Sequence, residues 1–341
     1  LITTDIKTLQ LKNVWTTARN SSRIKQNVFV EWHKDGIVGV GEAAPNIRYG
    51  EDAETTRQKI HRAADALDRQ DLSCYVQVKA IIDQQIVGQN CARASLDIAL
   101  MDWAAKRLNV PLYRLLGLNP DAAPLTSYSI GIDDIETIKA KIHQAADYPI
   151  LKIKVGSEND KDIIAAVRSV TDKLIRVDAN EGWKDKELAV RMIEWMQSQG
   201  VEFVEQPMPA AMLEETGWVR QRVGLPLVAD EAALTAADIP ALADVYDGIN
   251  IKLMKAGGIQ EALTMIRVAR ALGLKVMLGC MIESSLAITA AAHLSPLADW
   301  ADLDGHLLIG DDPFCGVTVR QGKLILNNCA GLGVAAAGAA E

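Results

Sequence analysis

The pattern of apolar and polar positions changes character twice along the chain. From Leu1 to about Ala44, apolar residues alternate with polar ones in segments such as 27–32 and 37–41, with the polar turn Lys34-Asp35-Gly36 between them. This predicts a meander of strands. Between about Asp52 and Leu116 the apolar spacing becomes three and four, most clearly over 92–106 before Pro111, which predicts helices. After Pro124, short β-rich runs alternate with amphipathic stretches of about 10 to 15 residues. The runs are 126–130, 150–155, 174–177, 202–204, 227–229, 248–251 and 276–278, with an eighth at 301–303. Seven or eight consecutive βα units predict a closed parallel β/α barrel, with an open doubly wound sheet as the alternative. From about Asp311 the text is strand-like again, in 317–320 and 323–326 joined by Gln321-Gly322, and is expected to pair with the N-terminal domain. The reading is therefore an α/β chain with an α+β capping domain at 1–123, a barrel at 124–310 and a C-terminal return at 311–334. An Ala/Gly-rich tail at 335–341 is read as disordered.

Composition narrows the class. Across 341 residues, 49% are hydrophobic and 23% charged, the balance of an ordinary soluble globular protein. A net charge of -8 with scattered cations offers no basic face and argues against nucleic acid as a partner. No apolar run reaches the length of about 18 that spans a bilayer, since Glu283 interrupts the longest candidate, 276–294. The start of the chain lacks the basic-then-apolar pattern of a signal peptide. Five dispersed cysteines without a C-x-x-C pair fit neither a disulfide framework nor a zinc ribbon, so a cytoplasmic location is expected.

In a β/α barrel the reacting groups sit at the C-terminal ends of the strands. Lys152 and Lys154 stand on the second run, and Asp178, Glu205 and Asp230 end the third to fifth. Lys252 ends the sixth, and the steps between these ends are about 22 to 27 residues. Taken singly, each has a plain alternative as a helix cap or a solvated charge. The run of lysine, acid, acid, acid, lysine on successive strands favours one site. Alternation places Lys152 and Lys154 on the same inward face, where burial and mutual repulsion are expected to favour the neutral amine. Three carboxylates from successive strands make a hard oxygen site suited to Mg²⁺. A metal there could hold a substrate carboxylate and stabilise the enediolate left when the adjacent proton is removed. Lys154 and Lys252, four units apart, would face each other across the substrate. Lys255 competes with Lys252 for that role. The five histidines are scattered and read as structural.

Lys152-Ile-Lys154, Val177-Asp-Ala-Asn180, Glu205-Gln-Pro207, Ala229-Asp-Glu231 and Ile249-Asn-Ile-Lys252, in this order, resemble the enolase superfamily, and more narrowly its muconate-lactonizing subgroup. Gly41-Glu-Ala-Ala-Pro45 is similar to the family's N-terminal domain motif, so the resemblance runs over nearly the whole chain and implies a modified (β/α)₇β barrel. It implies Asp178, Glu205 and Asp230 as ligands of one Mg²⁺, Lys154 and Lys252 as acid/base catalysts, and Lys152 beside the substrate carboxylate. Asn180 and Glu231 are expected to support them.

Asp302-Leu-Asp304 resembles the D-x-D of dipeptide epimerases, which implies a substrate with a free ammonium. Ser127 and Met281 lie in stretches like those that line the barrel in such enzymes. Loops at about 15–25 and 46–52 would close over the mouth, bringing Arg19, Arg23, Lys25 and Arg48 as candidate cations; one of them reaching a substrate carboxylate would suit L-Ala-D/L-Glu. Alanine-containing or hydrophobic dipeptides fit as well. Two other readings are an o-succinylbenzoate synthase or N-acylamino acid racemase on the same machinery, and a non-catalytic metal-binding barrel. Members of the family are often homo-oligomers.

Overall fold

The computed structural model describes residues 1–18 and 20–338. The N-terminal meander is a three-stranded antiparallel sheet of β1 (Ile2–Thr16), β2 (Ser21–Lys34) and β3 (Ile37–Ala43). Asp35 and Gly36, both at positive φ, make the tight turn between β2 and β3 that alternating strands require. Three helices follow: α1 (Ala53–Asp68), α2 (Tyr75–Gln85) and α3 (Asn90–Arg107). Asp52 caps α1 by accepting from the Thr55 amide at 2.8 Å. Helix α3 is buried over most of its length, because β3 lies directly against its backbone. Glycine makes that approach possible, since a Cβ on Gly41 would stand 1.9 Å from the Ser95 carbonyl oxygen.

Eight parallel strands follow in sequence order: β4 (Tyr128–Ile130), β5 (Ile150–Lys154), β6 (Leu174–Asp178), β7 (Val201–Glu205), β8 (Leu227–Ala229), β9 (Gly248–Lys252), β10 (Lys275–Gly279) and β11 (Trp300–Asp302). A parallel bridge from Thr126 to Ala301 joins the two ends and closes the barrel. An open doubly wound sheet would instead reverse strand order at a crossover. Helices occupy the seven intervals, and after β11 the chain makes only the short 3₁₀ turn Gly305–Leu308, the (β/α)₇β arrangement. Phe203, Val228, Met277 and Trp300 form a separate buried cluster, with Arg176 above the Phe203 ring at 5.4 Å. These inward-facing side chains plug the barrel with packed apolar layers.

The C-terminal return corrects two expectations. The strands Thr318–Arg320 and Lys323–Ile325 pair with each other rather than with the N-terminal sheet, because the intervening turn has length and φ for a hairpin. Contact with the capping domain is made outside the hairpin, by Asp311 accepting from the Gln10 amide at 2.7 Å, by Phe314 against Phe29, by Gly331 against Pro111 and Leu112 and by the Leu332 amide donating to Asp102 at 2.7 Å. The tail is also partly ordered: Ala335–Ala336 pairs antiparallel with Phe314–Cys315, whose free edge satisfies its backbone groups. Residues 339–341 lie outside the described residues.

The two domains are joined at the barrel mouth by Glu42, a buried residue of β3. Its carboxylate accepts from the Ser284 amide and hydroxyl at 2.9 and 2.5 Å, from the Ala287 amide at 3.2 Å and from Asn27 at 2.8 Å. A capping-domain side chain therefore satisfies the N-terminus of the barrel helix Ser285–Ala292.

Candidate active site

The period-2 pleat of β5 turns Lys152 and Lys154 into the barrel and Ile153 into the core. In-register pairing of β5 to β6 and β6 to β7 then sets Lys154 beside Asp178 and Asp178 beside Glu205. Asp230 follows β8, and Lys252 ends β9. All are buried. Lys154 lies 2.6 Å from Asp178, and Lys252 lies 2.7 Å from Asp230. Lys152 reaches Asp302 at 2.6 Å, Glu205 at 2.7 Å and Asp178 at 3.3 Å.

The proximity of carboxylates reverses one expectation. Burial pulls the Lys152 and Lys252 pKa values down, but the charges of Asp302 and Glu205 on the first, and of Asp230 and Glu205 on the second, hold both above the ordinary lysine value. On Lys252, the repulsion from Lys152 is smaller than the pull of Asp230 and Glu205. Burial also pushes Glu205 up to about 7, aided by Asp178, while the lysine charges hold Asp178 and Asp230 below the usual range.

One oxygen each from Asp178, Glu205 and Asp230 lies within 4.8 Å of the others, the one acidic group of three or more suited to a metal among the described residues. The donor set fits a hard divalent cation. Glu205 Oε2 and Asp230 Oδ1 accept no directed hydrogen bond, although the Lys152 and Lys255 ammonium groups lie 2.7 and 2.6 Å from them. Three supports of this cluster escaped sequence reasoning. Asn250 donates to Glu205 Oε1 at 2.8 Å. Gln206, at φ 36°, accepts from the Asp230 amide at 2.9 Å and donates to Tyr246 at 3.0 Å, which ties the loop after β7 to the loop after β8. Lys255 clamps Asp230 from behind, through its carboxylate and its carbonyl, and also donates to the Ala233 and Asn250 carbonyls at 3.0 and 3.1 Å. The motif strings held Gln206 and Asn250, and Lys255 stands three residues past the last of them, but the carboxylates and amide they support lie on other strands. Asn180 donates through its backbone amide to Asp178 at 2.9 Å and through its side chain to Glu231 at 3.2 Å, so Asn180 stands against the cluster and Glu231 against Asn180.

Across the cleft, Asp302 and Asp304 leave β11 on its inward side. Asp302 accepts from Ser127 Oγ at 2.7 Å and Ser129 Oγ at 3.2 Å, and Asp304 from the Ser129 amide at 2.5 Å. Burial raises Asp302, but Lys152 outweighs it and holds the carboxyl below the usual range; burial and the Asp302 charge push Asp304 up to about 7. Ser127 is thus behind Asp302 rather than in the cleft wall, where Ser129 takes its place.

The cleft has a volume of about 450 Å³ and is lined by Lys152, Lys154 and Lys252, by the aspartate pair, and by Met281, Asn180 and the lid loops. Arg48 is in its wall, forked onto Glu181 at 3.0 and 2.9 Å. Arg23 is exposed on β2 and does not line the cleft, whereas Lys25 does. Arg19 lies outside the described residues. No helix among the described residues is long and apolar enough to cross a membrane.

Residues 3–117 match the mandelate racemase / muconate lactonizing enzyme N-terminal domain, and residues 136–339 match the enolase C-terminal domain-like family. An L-Ala-D/L-Glu epimerase of Bacteroides thetaiotaomicron is 42% identical over 96% of this chain and 85% of its own length. An L-Ala-D/L-amino acid epimerase of Pedosphaera parvula is 42% identical over 93% of each chain. Among solved structures, a dipeptide epimerase from Cytophaga hutchinsonii complexed with Mg and D-Ala-L-Val superposes with a TM-score of 0.94. It is 28% identical over 99% of this chain and 96% of that one. With both domains matched and relatives above 40% identity across nearly its full length, the chain belongs to the mandelate racemase / muconate lactonizing enzyme family of the enolase superfamily.

Proposed function

We propose that this protein is a Mg²⁺-dependent dipeptide epimerase that inverts the α-carbon of the substrate's C-terminal residue. One observation carries the reading. One end of a single cleft is lined by Lys154 and Lys252, which lie against a buried three-carboxylate cluster, and the other by a buried aspartate pair, with Lys152 between the two. A dipeptide offers the complementary charges, a carboxylate for the first end and an ammonium for the second.

Asp178, Glu205 and Asp230 are the residues that would hold Mg²⁺. Bound there, the ion would supply positive charge to the substrate carboxylate as the neighbouring proton leaves. Lys154 and Lys252 project from strands four apart in a ring of eight, so they serve opposite faces of the α-carbon. One takes the proton and the other delivers a proton to the far face, which inverts the centre. Lys152, kept charged by its three carboxylate neighbours, adds positive charge beside the substrate carboxylate. Asp302 and Asp304 accept hydrogen bonds from the substrate ammonium, and Ser127 and Ser129 orient them. All five cysteines are free thiols, in keeping with a cytoplasmic enzyme. L-Ala-D/L-Glu, a peptidoglycan fragment, is one candidate substrate, and other alanine-containing or hydrophobic dipeptides are the alternatives.

A second reading has a specific neighbour: an N-succinyl Arg/Lys racemase from Bacillus cereus superposes with a TM-score of 0.92 at 28% identity. The buried aspartate pair disfavours it, because an N-acylated substrate brings no cation to that end. Incubation with Mg²⁺ and a dipeptide library in D₂O tests the choice. Deuterium at the C-terminal α-carbon, with both diastereomers appearing and a chelator abolishing both signals, is the expected result. Exchange of N-succinyl amino acids with none from any dipeptide would overturn it.

A further inference from the structure

The two lysines assigned to proton transfer are held in different ways. After Lys252 the chain coils at once into the helix Leu253–Ala256, and Lys255 of that helix is bound to Asp230 and to the Ala233 and Asn250 carbonyls. After Lys154 the chain instead runs through the loop 155–159 before the helix Asp160–Arg168. Gly156 of this loop lies against Gly182 of the loop after β6, where a Cβ on Gly182 would stand 2.4 Å from the Gly156 Cα. Glycine permits that approach but has no side chain to hold it.

The hold comes from Asp160, which is 1% exposed. Its carboxylate accepts from the Gly156 amide at 2.9 Å, the Ser157 amide at 2.8 Å and the Ser157 hydroxyl at 3.0 Å, all in the loop after Lys154. Its Oδ2 also accepts, at 2.9 Å, from the indole N–H of Trp183, a buried residue of the loop after Asp178. That second loop is pinned in its turn to the chain after Glu205. The Ala179, Glu181 and Trp183 amides donate to the Glu205, Gln206 and Pro207 carbonyls at 3.0, 3.0 and 3.1 Å. Asp160 therefore couples the end of β5 to a frame that already carries two of the three cluster carboxylates. A buried carboxylate whose donors come from two loops fixes the distance between them, because parting the loops would leave buried polar groups unpaired.

We propose that Asp160 is a positioning residue for Lys154, aiming its amine at one face of the substrate α-carbon by tying the end of β5 to Trp183. The inference rests on the two-lysine epimerase reading and goes beyond it by naming what aligns one base and not the other. Its consequence is one-sided. Inversion needs both lysines: one breaks the C–H bond and keeps the proton as its ammonium, and the other delivers a proton to the opposite face. Exchange needs only one, since a lysine that has taken the proton can trade it with solvent and return a deuteron to the same face. A misaimed Lys154 therefore slows inversion in both directions and leaves exchange from the diastereomer that faces Lys252.

The test uses the Mg²⁺-loaded enzyme in D₂O on L-Ala-L-Glu, L-Ala-D-Glu, L-Ala-L-Met and L-Ala-D-Met, following deuterium uptake and inversion separately. Asp160→Asn keeps an oxygen for the loop amides but turns an NH₂ toward the Trp183 N–H, and Trp183→Phe removes that N–H while keeping an aromatic ring in place. Lys154→Ala is the reference that shows which diastereomer Lys154 serves. In both single variants kcat for inversion is expected to fall about 10- to 100-fold with KM little changed, the loss expected from misplacing a reacting group by about 1 Å. Exchange from the diastereomer that Lys154→Ala still exchanges stays at the wild-type rate. The double variant is no slower than the slower single one, because a single tie is cut. Equal falls in exchange from both diastereomers would show a merely structural role, and unchanged inversion in Trp183→Phe would show that the tie does not aim the base. Either result overturns the role of Asp160 while leaving epimerisation standing. Exchange by the wild type from no dipeptide at all overturns both.

Discussion

Lys255 stands three residues after Lys252 and competes with it on sequence grounds for the role of second base. The structure gives it a different task, which Lys255→Met would expose. Methionine preserves most of the side-chain length and volume, so no cavity opens, but it removes the ion pair to Asp230 at 2.6 Å and the donations to the Asp230, Ala233 and Asn250 carbonyls. Both partners of the ion pair are buried. Removing one side of a buried pair is destabilising by about 3–5 kcal/mol. Lys252, 2.7 Å from the same carboxylate, still offsets part of its charge and favours the lower end of that range. The orphaned carbonyls pull the other way, by up to about 1 kcal/mol each. A net loss of about 3–5 kcal/mol is large against the roughly 5–15 kcal/mol that holds a typical protein folded. Urea unfolding followed by tryptophan fluorescence should show a lower midpoint at unchanged slope. Because Asp230 loses its hold, α-proton exchange from both diastereomers should fall together, with weaker affinity for Mg²⁺ by about 10- to 100-fold. An unmoved midpoint combined with exchange lost from one diastereomer only would refute this account and transfer the base role proposed for Lys252 to Lys255.

Two further outcomes follow from buried contacts away from the cluster. His293 accepts from the Tyr113 amide and donates to the Leu332 carbonyl, each at 3.1 Å, and burial pushes its pKa down to about 4. The unfolded chain therefore takes up a proton between about pH 6.5 and 4 that the folded chain refuses, so stability falls as pH falls through that window. The loss from this group is about 3 kcal/mol at the lower end. His293→Gln keeps one donor and one acceptor without titrating, and its stability deficit in urea should shrink as the pH drops from 7 to 4.5; a constant deficit would contradict the assignment. Gly41→Ala places a methyl group 1.9 Å from the Ser95 carbonyl oxygen, forcing β3 off α3. A loss of at least about 1–3 kcal/mol in urea unfolding is expected, and unchanged stability would disprove the close approach.

The strand-end residues were legible because two periodicities coincide there. The pleat fixes which way Lys152 and Lys154 point, and the βα repeat brings Asp178, Glu205 and Asp230 to one mouth. Both are local properties. The charge state of the lysines is not local: Lys152 is governed by Asp302, which is 150 residues away in sequence and next to it in space. Likewise, nothing in the lid sequence says that Arg48 is held by Glu181 or that Arg23 climbs into solvent while Lys25 does not. The pairing of the return strands differed from expectation for a similar reason. The strands themselves read correctly, but a short strand can take its partner from any free edge, and the nearest edge was its own hairpin.

The fastening at Glu42 bears on any effort to change what the cleft accepts. The carboxylate that caps the helix Ser285–Ala292 comes from the strand next to the one carrying Lys25, and the segment leading into that helix supplies Met281 and Ile282 to the cleft wall. Lid and wall are thus registered to each other by Glu42 together with Asn27, which donates to Glu42 and to the Ile282 carbonyl, and a lid grafted from another family member would lose its alignment unless the glutamate, the asparagine and the serine travelled together. Selectivity here is best exchanged as a unit of hairpin plus cap, with the catalytic strands left in place.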